Sequence, residues 1–86
     1  MIIRIVIENE QENDLLQRIL FVLGYKWTIN GKRVKDFNPF SRIHQIDSSD
    51  GRIYRLLRHR SSDGFKLLTF VEFLDYVECN DIRYNG

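Results

Sequence analysis

Ile19-Leu20-Phe21-Val22-Leu23-Gly24-Tyr25-Lys26-Trp27-Thr28-Ile29-Asn30-Gly31 changes its periodicity halfway along. Up to Leu23 the apolar residues recur at helical spacing. After Gly24 they alternate, with Tyr25, Trp27 and Ile29 on one side and Lys26 and Thr28 on the other. A period near 3.6 followed by a period of 2, with glycine between them, reads as a helix stopped at its C′ position and followed by a strand. Asn30-Gly31 then carries the strongest short signal for a type I′ hairpin, with a return strand over Lys32, Arg33, Val34 and Lys35.

The pattern extends in both directions. Residues 2–7 alternate, Ile3, Ile5 and Ile7 against Ile2, Arg4 and Val6, which predicts a strand. The helix is expected over 10–23, with Leu15, Leu16, Ile19, Leu20, Val22 and Leu23 as its apolar stripe. Gln11, Asp14, Gln17 and Arg18 are expected to face water. Residues 36–41 read as a loop, with Phe37 and Phe40 folding back over the core. Residues 42–46 and 52–60 read as strands joined by the turn 47–51, and the turn 61–64 leads to a short strand over 65–68. Thr69-x-x-Glu72 is a capping box opening a second helix striped by Phe70, Phe73, Leu74 and Val77. The tail 80–86 is expected to be extended or frayed.

The predicted order is β-α-β-β-β-β-β-α in one small domain spanning 1–86. The expected class is α+β: an antiparallel sheet of about four to five strands with two helices packed on one face. That packing leaves the other face wet, with Arg4, Lys26 and Lys66 expected to point towards it.

Charge is distributed unevenly along this frame. The chain as a whole is +1, yet residues 26–66 carry +6, against −2 for 1–25 and −3 for 67–86. The cations therefore belong to the sheet and its turns, and such asymmetry points to an anionic partner. Lys32, Arg33 and Lys35 form one cluster. Arg52, Arg55, Arg58 and Arg60 form the other, with Tyr54 among them. Guanidinium forks suit phosphates and a tyrosine can stack on a base, so these eight residues are the candidate contacts with nucleic acid or a partner. The bland reading of the arginine-rich segment is a charged edge strand that blocks aggregation; neither of its faces is purely apolar.

Other chemistry is poorly supported. His44 and His59 lack ligands at metal spacing, so no metal or other cofactor is expected. Cys79, the single cysteine, lies late in the second helix without a basic neighbour and reads as inert and partly buried. Asp47, Asp50 and Asp63 read as turn formers. No enzyme is expected, since no nucleophile is paired with a base. The single cysteine, and the lack of a leader-like or membrane-length apolar run, lead to an expectation of a cytoplasmic protein without membrane contact, monomeric or homodimeric.

The stretch from Ile19 to Trp27, the glycine hairpin after it, and Leu68-Thr69-Phe70-Val71-Glu72-Phe73-Leu74 near the end resemble a layout found in small proteins of tailed phages. Within that group, size and basic centre are similar to the short accessory proteins of T4-like phages that neutralise host defences. One of these, an inhibitor of the ToxN toxin, acts together with RNA. The resemblance implies a fold and a viral origin, not a chemistry. The basic centre leads to the expectation of RNA, or of a host toxin or nuclease, as partner, with inhibition as the function and the host cytoplasm as its site. A protein–protein inhibitor without RNA, with Phe37 and Phe40 as anchors, is the competing expectation.

Overall fold

The computed structural model describes residues 1–57 and 65–85. The expected turn at 61–64, and Arg58, His59 and Arg60, lie outside the described residues.

The elements follow in the order β1 (Ile2–Val6), α1 (Glu10–Val22), β2 (Lys26–Trp27), β3 (Ile43–Asp47), β4 (Arg52–Leu56), β5 (Phe65–Thr69) and α2 (Phe70–Cys79). The five strands form one sheet in the order β2-β4-β3-β1-β5. Only β3 runs against the others: β1 pairs antiparallel with β3 and parallel with β5, and β2 pairs parallel with β4. The sheet is therefore mixed, which corrects the antiparallel meander expected from the turn signals.

Register sorts the side chains. Ile3 stands opposite Ile46, which stands opposite Ile53, and Ile53 is level with Trp27. These residues, with Ile5 and Leu68, join Leu16, Leu20 and Phe21 of α1 and Phe70 and Phe73 of α2 in one buried cluster. Lys66 is level with Ile3 on this same side, not on the opposite face where it was expected. Its ammonium lies 5.5 Å from the centre of the Tyr76 ring.

The helix ends were legible in the sequence. Thr69 Oγ1 accepts the Glu72 N–H at 3.1 Å, and Glu72 Oε1 accepts the Thr69 N–H at 2.9 Å, completing the capping box. At the end of α1, Gly24 N–H reaches Phe21 O at 3.1 Å and Tyr25 N–H reaches Leu20 O at 2.9 Å, a Schellman pair. The buried side of α1 is rotated from expectation. Asn13, Leu16, Gln17, Leu20 and Phe21 are buried, whereas Leu15 and Val22 are exposed.

The tail docks instead of fraying. Tyr25 donates its hydroxyl to Ile82 O at 2.7 Å, and Tyr84 N–H reaches Leu23 O at 2.8 Å. Gly24 has φ +100°, and a Cβ there would be driven into the Tyr84 carbonyl. Gly31 also has positive φ (+61°), but a Cβ there would meet open space. Gly24→Ala is therefore expected to cost about 3 kcal/mol, combining left-handed strain with a backbone clash, and Gly31→Ala only about 1 kcal/mol. Urea unfolding of the two variants measures the difference.

The Asn30-Gly31 hairpin forms only its tip. Trp27 N–H reaches Gly31 O at 2.8 Å and Gly31 N–H reaches Trp27 O at 3.2 Å. Beyond that bridge, 32–35 is loop and the expected return strand is absent. Ile29, expected to face the helix, sits in the tip and is 90% exposed.

Candidate nucleic-acid interface

The segment carrying Lys32, Arg33 and Lys35 is held by side chains of α1 instead of by a strand partner. Lys35 N–H donates to Gln17 Oε1 at 2.7 Å. Lys35 O accepts from Gln17 Nε2 and from Asn13 Nδ2, both at 2.9 Å. Gln17 Oε1 also accepts the Trp27 indole N–H at 3.0 Å, and Gln17 Nε2 donates to Asn13 O at 3.1 Å. One buried glutamine thus joins α1, β2 and the basic loop. The sequence reading placed Gln17 in water. The spacing 13, 16, 17, 20, 21 was available in the sequence, but two amides on that stripe masked it.

Trp27 gathers the cations. Its ring centre lies 4.3 Å from Lys35 Nζ and 5.7 Å from Arg55 Cζ, the geometry of a cation over an aromatic face. Arg55 comes from β4 and donates to Asp36 O at 2.9 Å, so the second basic cluster is tied directly to the first. Burial pulls the Arg55 pKa below its usual value, with the Asp36 charge acting the other way. Among the described residues, no carboxylate lies at ion-pair distance from Lys32, Arg33, Lys35 or Arg55. The ion pair present there is Arg42–Glu8, at 3.7 Å.

His44 lies beneath this cluster. It stands opposite Arg55 in the sheet register and meets the Trp27 ring edge-on, with centroids 5.6 Å apart. Neither ring nitrogen has a hydrogen-bond partner, and Arg55 Nε is likewise buried without one. Burial first, then the charges of Arg55 and Lys35, push the His44 pKa down to about 3. The imidazole is neutral at physiological pH and adds no charge to the cluster.

Arg52 and Tyr54 are placed elsewhere. Alternation along β4 turns them to the sheet face opposite the core, where Arg52 is level with Lys26 and Asp47, and Tyr54 with Gln45. Tyr54 donates its hydroxyl to Asp50 Oδ2 at 2.5 Å, and Asp50 Oδ1 accepts the Arg52 N–H at 2.9 Å. That hydrogen bond is the main cause of a raised Tyr54 pKa. Asp47 and Asp50 act as turn formers. Ser49 donates its N–H and hydroxyl to Asp47 Oδ1 at 2.9 and 2.7 Å, which holds that carboxyl below the usual range.

The structure thus brings Lys35 and Arg55 together at Trp27, leaves Lys32 and Arg33 exposed in the loop that carries Lys35, and turns Arg52 and Tyr54 to the other face. Arg58 and Arg60 lie outside the described residues. Phe37 and Phe40, expected to fold back together, divide: Phe37 packs against the core, whereas Phe40 is 83% exposed. Cys79 is exposed, not partly buried. Among the described residues, no three His, Cys, Asp or Glu side chains group as metal ligands, and no helix is long and apolar enough to cross a membrane. Two surface depressions lie away from the basic cluster, one beside Leu23 and 77–83, the other beside Met1, Phe65 and Tyr76.

Comparison with known proteins finds no matching family model, no similar curated protein and no similar solved structure.

Proposed function

We propose that this chain is a small, non-enzymatic accessory protein of phage type. It binds RNA through the cluster of Lys32, Arg33, Lys35 and Arg55, and so inhibits a host toxin or nuclease in the manner of an antitoxin. Its size and basic centre resemble those of the short accessory proteins of T4-like phages, among them the ToxN inhibitor TifA. In this reading both helices cover the core side of the sheet, and the cations emerge at the sheet edge beside β2 and β4. The observation that supports it most is the gathering of Lys35 and Arg55 over one tryptophan with Lys32 and Arg33 exposed beside them, all without carboxylate partners among the described residues. Cations without an ion pair among the described residues are the groups that can release counterions when they meet phosphates. Arg52 and Tyr54 form a separate, acid-tied patch and contribute less.

Lys32 and Arg33 are the residues to test, because both are exposed and neither side chain has a hydrogen bond or ion pair among the described residues. The double reversal Lys32→Glu, Arg33→Glu is expected to weaken binding of an unstructured RNA by about tenfold or more at moderate salt, with an unchanged thermal melt. Undiminished binding would move the site off this cluster. Nuclease treatment of a captured host complex decides between RNA and a purely protein partner: this reading expects the complex to fall apart once its RNA is digested.

A further inference from the structure

We infer that Phe40 is a stacking platform for an unpaired base, so that the RNA bound by the basic cluster is single-stranded. The inference rests on the RNA-binding reading above and adds the class of RNA.

A single exposed apolar residue is ordinary on a protein surface. Phe40 differs in how its backbone is held. Asn38 Oδ1 accepts the Phe40 N–H at 2.9 Å, and Asn38 O accepts the Ser41 N–H at 3.0 Å. Ser41 is buried and donates its hydroxyl to Leu56 O at 2.9 Å, which ties the turn to the end of β4. Arg42 Nε donates to Pro39 O at 3.1 Å, and Arg42 O accepts the Ile7 N–H at 3.0 Å, which ties the same end to the residue that follows β1. Pro39 restricts the backbone just before the ring. The turn is therefore closed internally and anchored on its C-terminal side, while the ring at its tip stays in solvent. Phe37, three residues earlier, shows that an aromatic in this loop can reach the core.

The charges complete the argument. Arg55 donates to Asp36 O where the loop begins, and Ser41 is bonded to Leu56, the neighbour of Arg55 in β4, so the turn carrying Phe40 is joined to the strand that supplies Arg55. Arg42, at the end of the loop, is paired with Glu8. A preorganised aromatic on a turn joined to the strand of a phosphate-binding arginine offers a stacking face next to a backbone contact, which suits a strand whose bases are free. A duplex keeps its bases stacked on each other and offers mainly its backbone. The cations serve either form of RNA, but Phe40 serves only the unpaired one.

The experiment is fluorescence anisotropy with an unstructured RNA strand and with the same strand annealed to its complement. Wild type is expected to bind the single strand more tightly than the duplex. Phe40→Ala should weaken single-strand binding about tenfold and leave duplex binding unchanged, and Phe40→Trp should restore it. If Phe40→Ala binds the single strand like wild type while Lys32→Glu, Arg33→Glu does not, stacking is wrong and the basic site stands. If wild type binds neither RNA, the basic-site reading itself fails. If Phe40→Ala abolishes only the capture of a nuclease-resistant protein partner, the ring serves that protein and the inference is overturned.

Discussion

Gln17→Leu is expected to destabilise the protein by about 2–5 kcal/mol and to weaken RNA binding together with the fold. The variant keeps the volume of the side chain but removes its amide. The Trp27 indole N–H and the Lys35 backbone N–H, at 3.0 and 2.7 Å from Gln17 Oε1, then lose their acceptor in the interior. A buried donor left without a partner costs about 1–3 kcal/mol, and here there are two. Lys35 O keeps only its bond from Asn13, so the basic loop is also less firmly held. Asn13→Ala should cost less, because it removes one helix-to-loop bond to Lys35 O and a local bond to Asp14, and leaves the glutamine in place. Urea titration gives the stability of each variant. A Gln17→Leu protein as stable as wild type would show that the loop is held by something other than this amide.

The second large effect is acid sensitivity centred on His44. Its pKa is about 3 in the folded protein, against 6.5 for the free side chain, because the ring is buried beside Arg55 and Lys35. Between these values the unfolded chain takes up a proton that the folded protein excludes. The stabilising effect of the neutral ring is therefore complete above pH 6.5 and declines as the pH falls towards 3, by about 1.4 kcal/mol per unit. Asp47, with its lowered pKa, loses stability in the same direction at the acid end. His44→Leu removes two buried nitrogens without partners and should leave stability at neutral pH unchanged or higher. It should also flatten the decline between pH 6 and pH 4, a range set by the two histidine values. Chemical unfolding across that range compares the two proteins. A wild-type curve as flat as that of the variant would mean that the ring has access to solvent.

The features readable in the sequence were those set by neighbours in the chain. The Gly24 helix stop, the Thr69–Glu72 box, the alternation of β1 and the 47–51 turn all appear as expected, because each depends on a few adjacent residues. Strand pairing beyond the β3–β4 hairpin depends on distant residues and was misread. Asn30-Gly31 signalled a hairpin, but the chain leaves the tip because buried amides of α1 capture Lys35 before a return strand can pair. β2 pairs instead with β4, and that contact lies far beyond the range of a turn signal. The same long-range capture explains the two candidate-site outcomes. Lys35 and Arg55, distant in sequence, meet at Trp27, while Tyr54, adjacent to Arg55, turns to the other face simply because strands alternate. Lys66 was assigned to the wet face by a strand phase fixed only from its own segment; the parallel pairing with β1 sets it beside Ile3.

The central claim is that the cluster of Lys32, Arg33, Lys35 and Arg55 binds RNA phosphates, and the most direct test is the salt dependence of RNA binding by the wild-type protein. If Lys32, Arg33, Lys35 and Arg55 each meet a phosphate, the logarithm of the association constant should fall against the logarithm of salt concentration with a slope of about −3 for single-stranded RNA. The Lys32→Glu, Arg33→Glu variant should roughly halve that slope. Binding that is absent at low salt, or that shows no dependence on salt, would contradict the account.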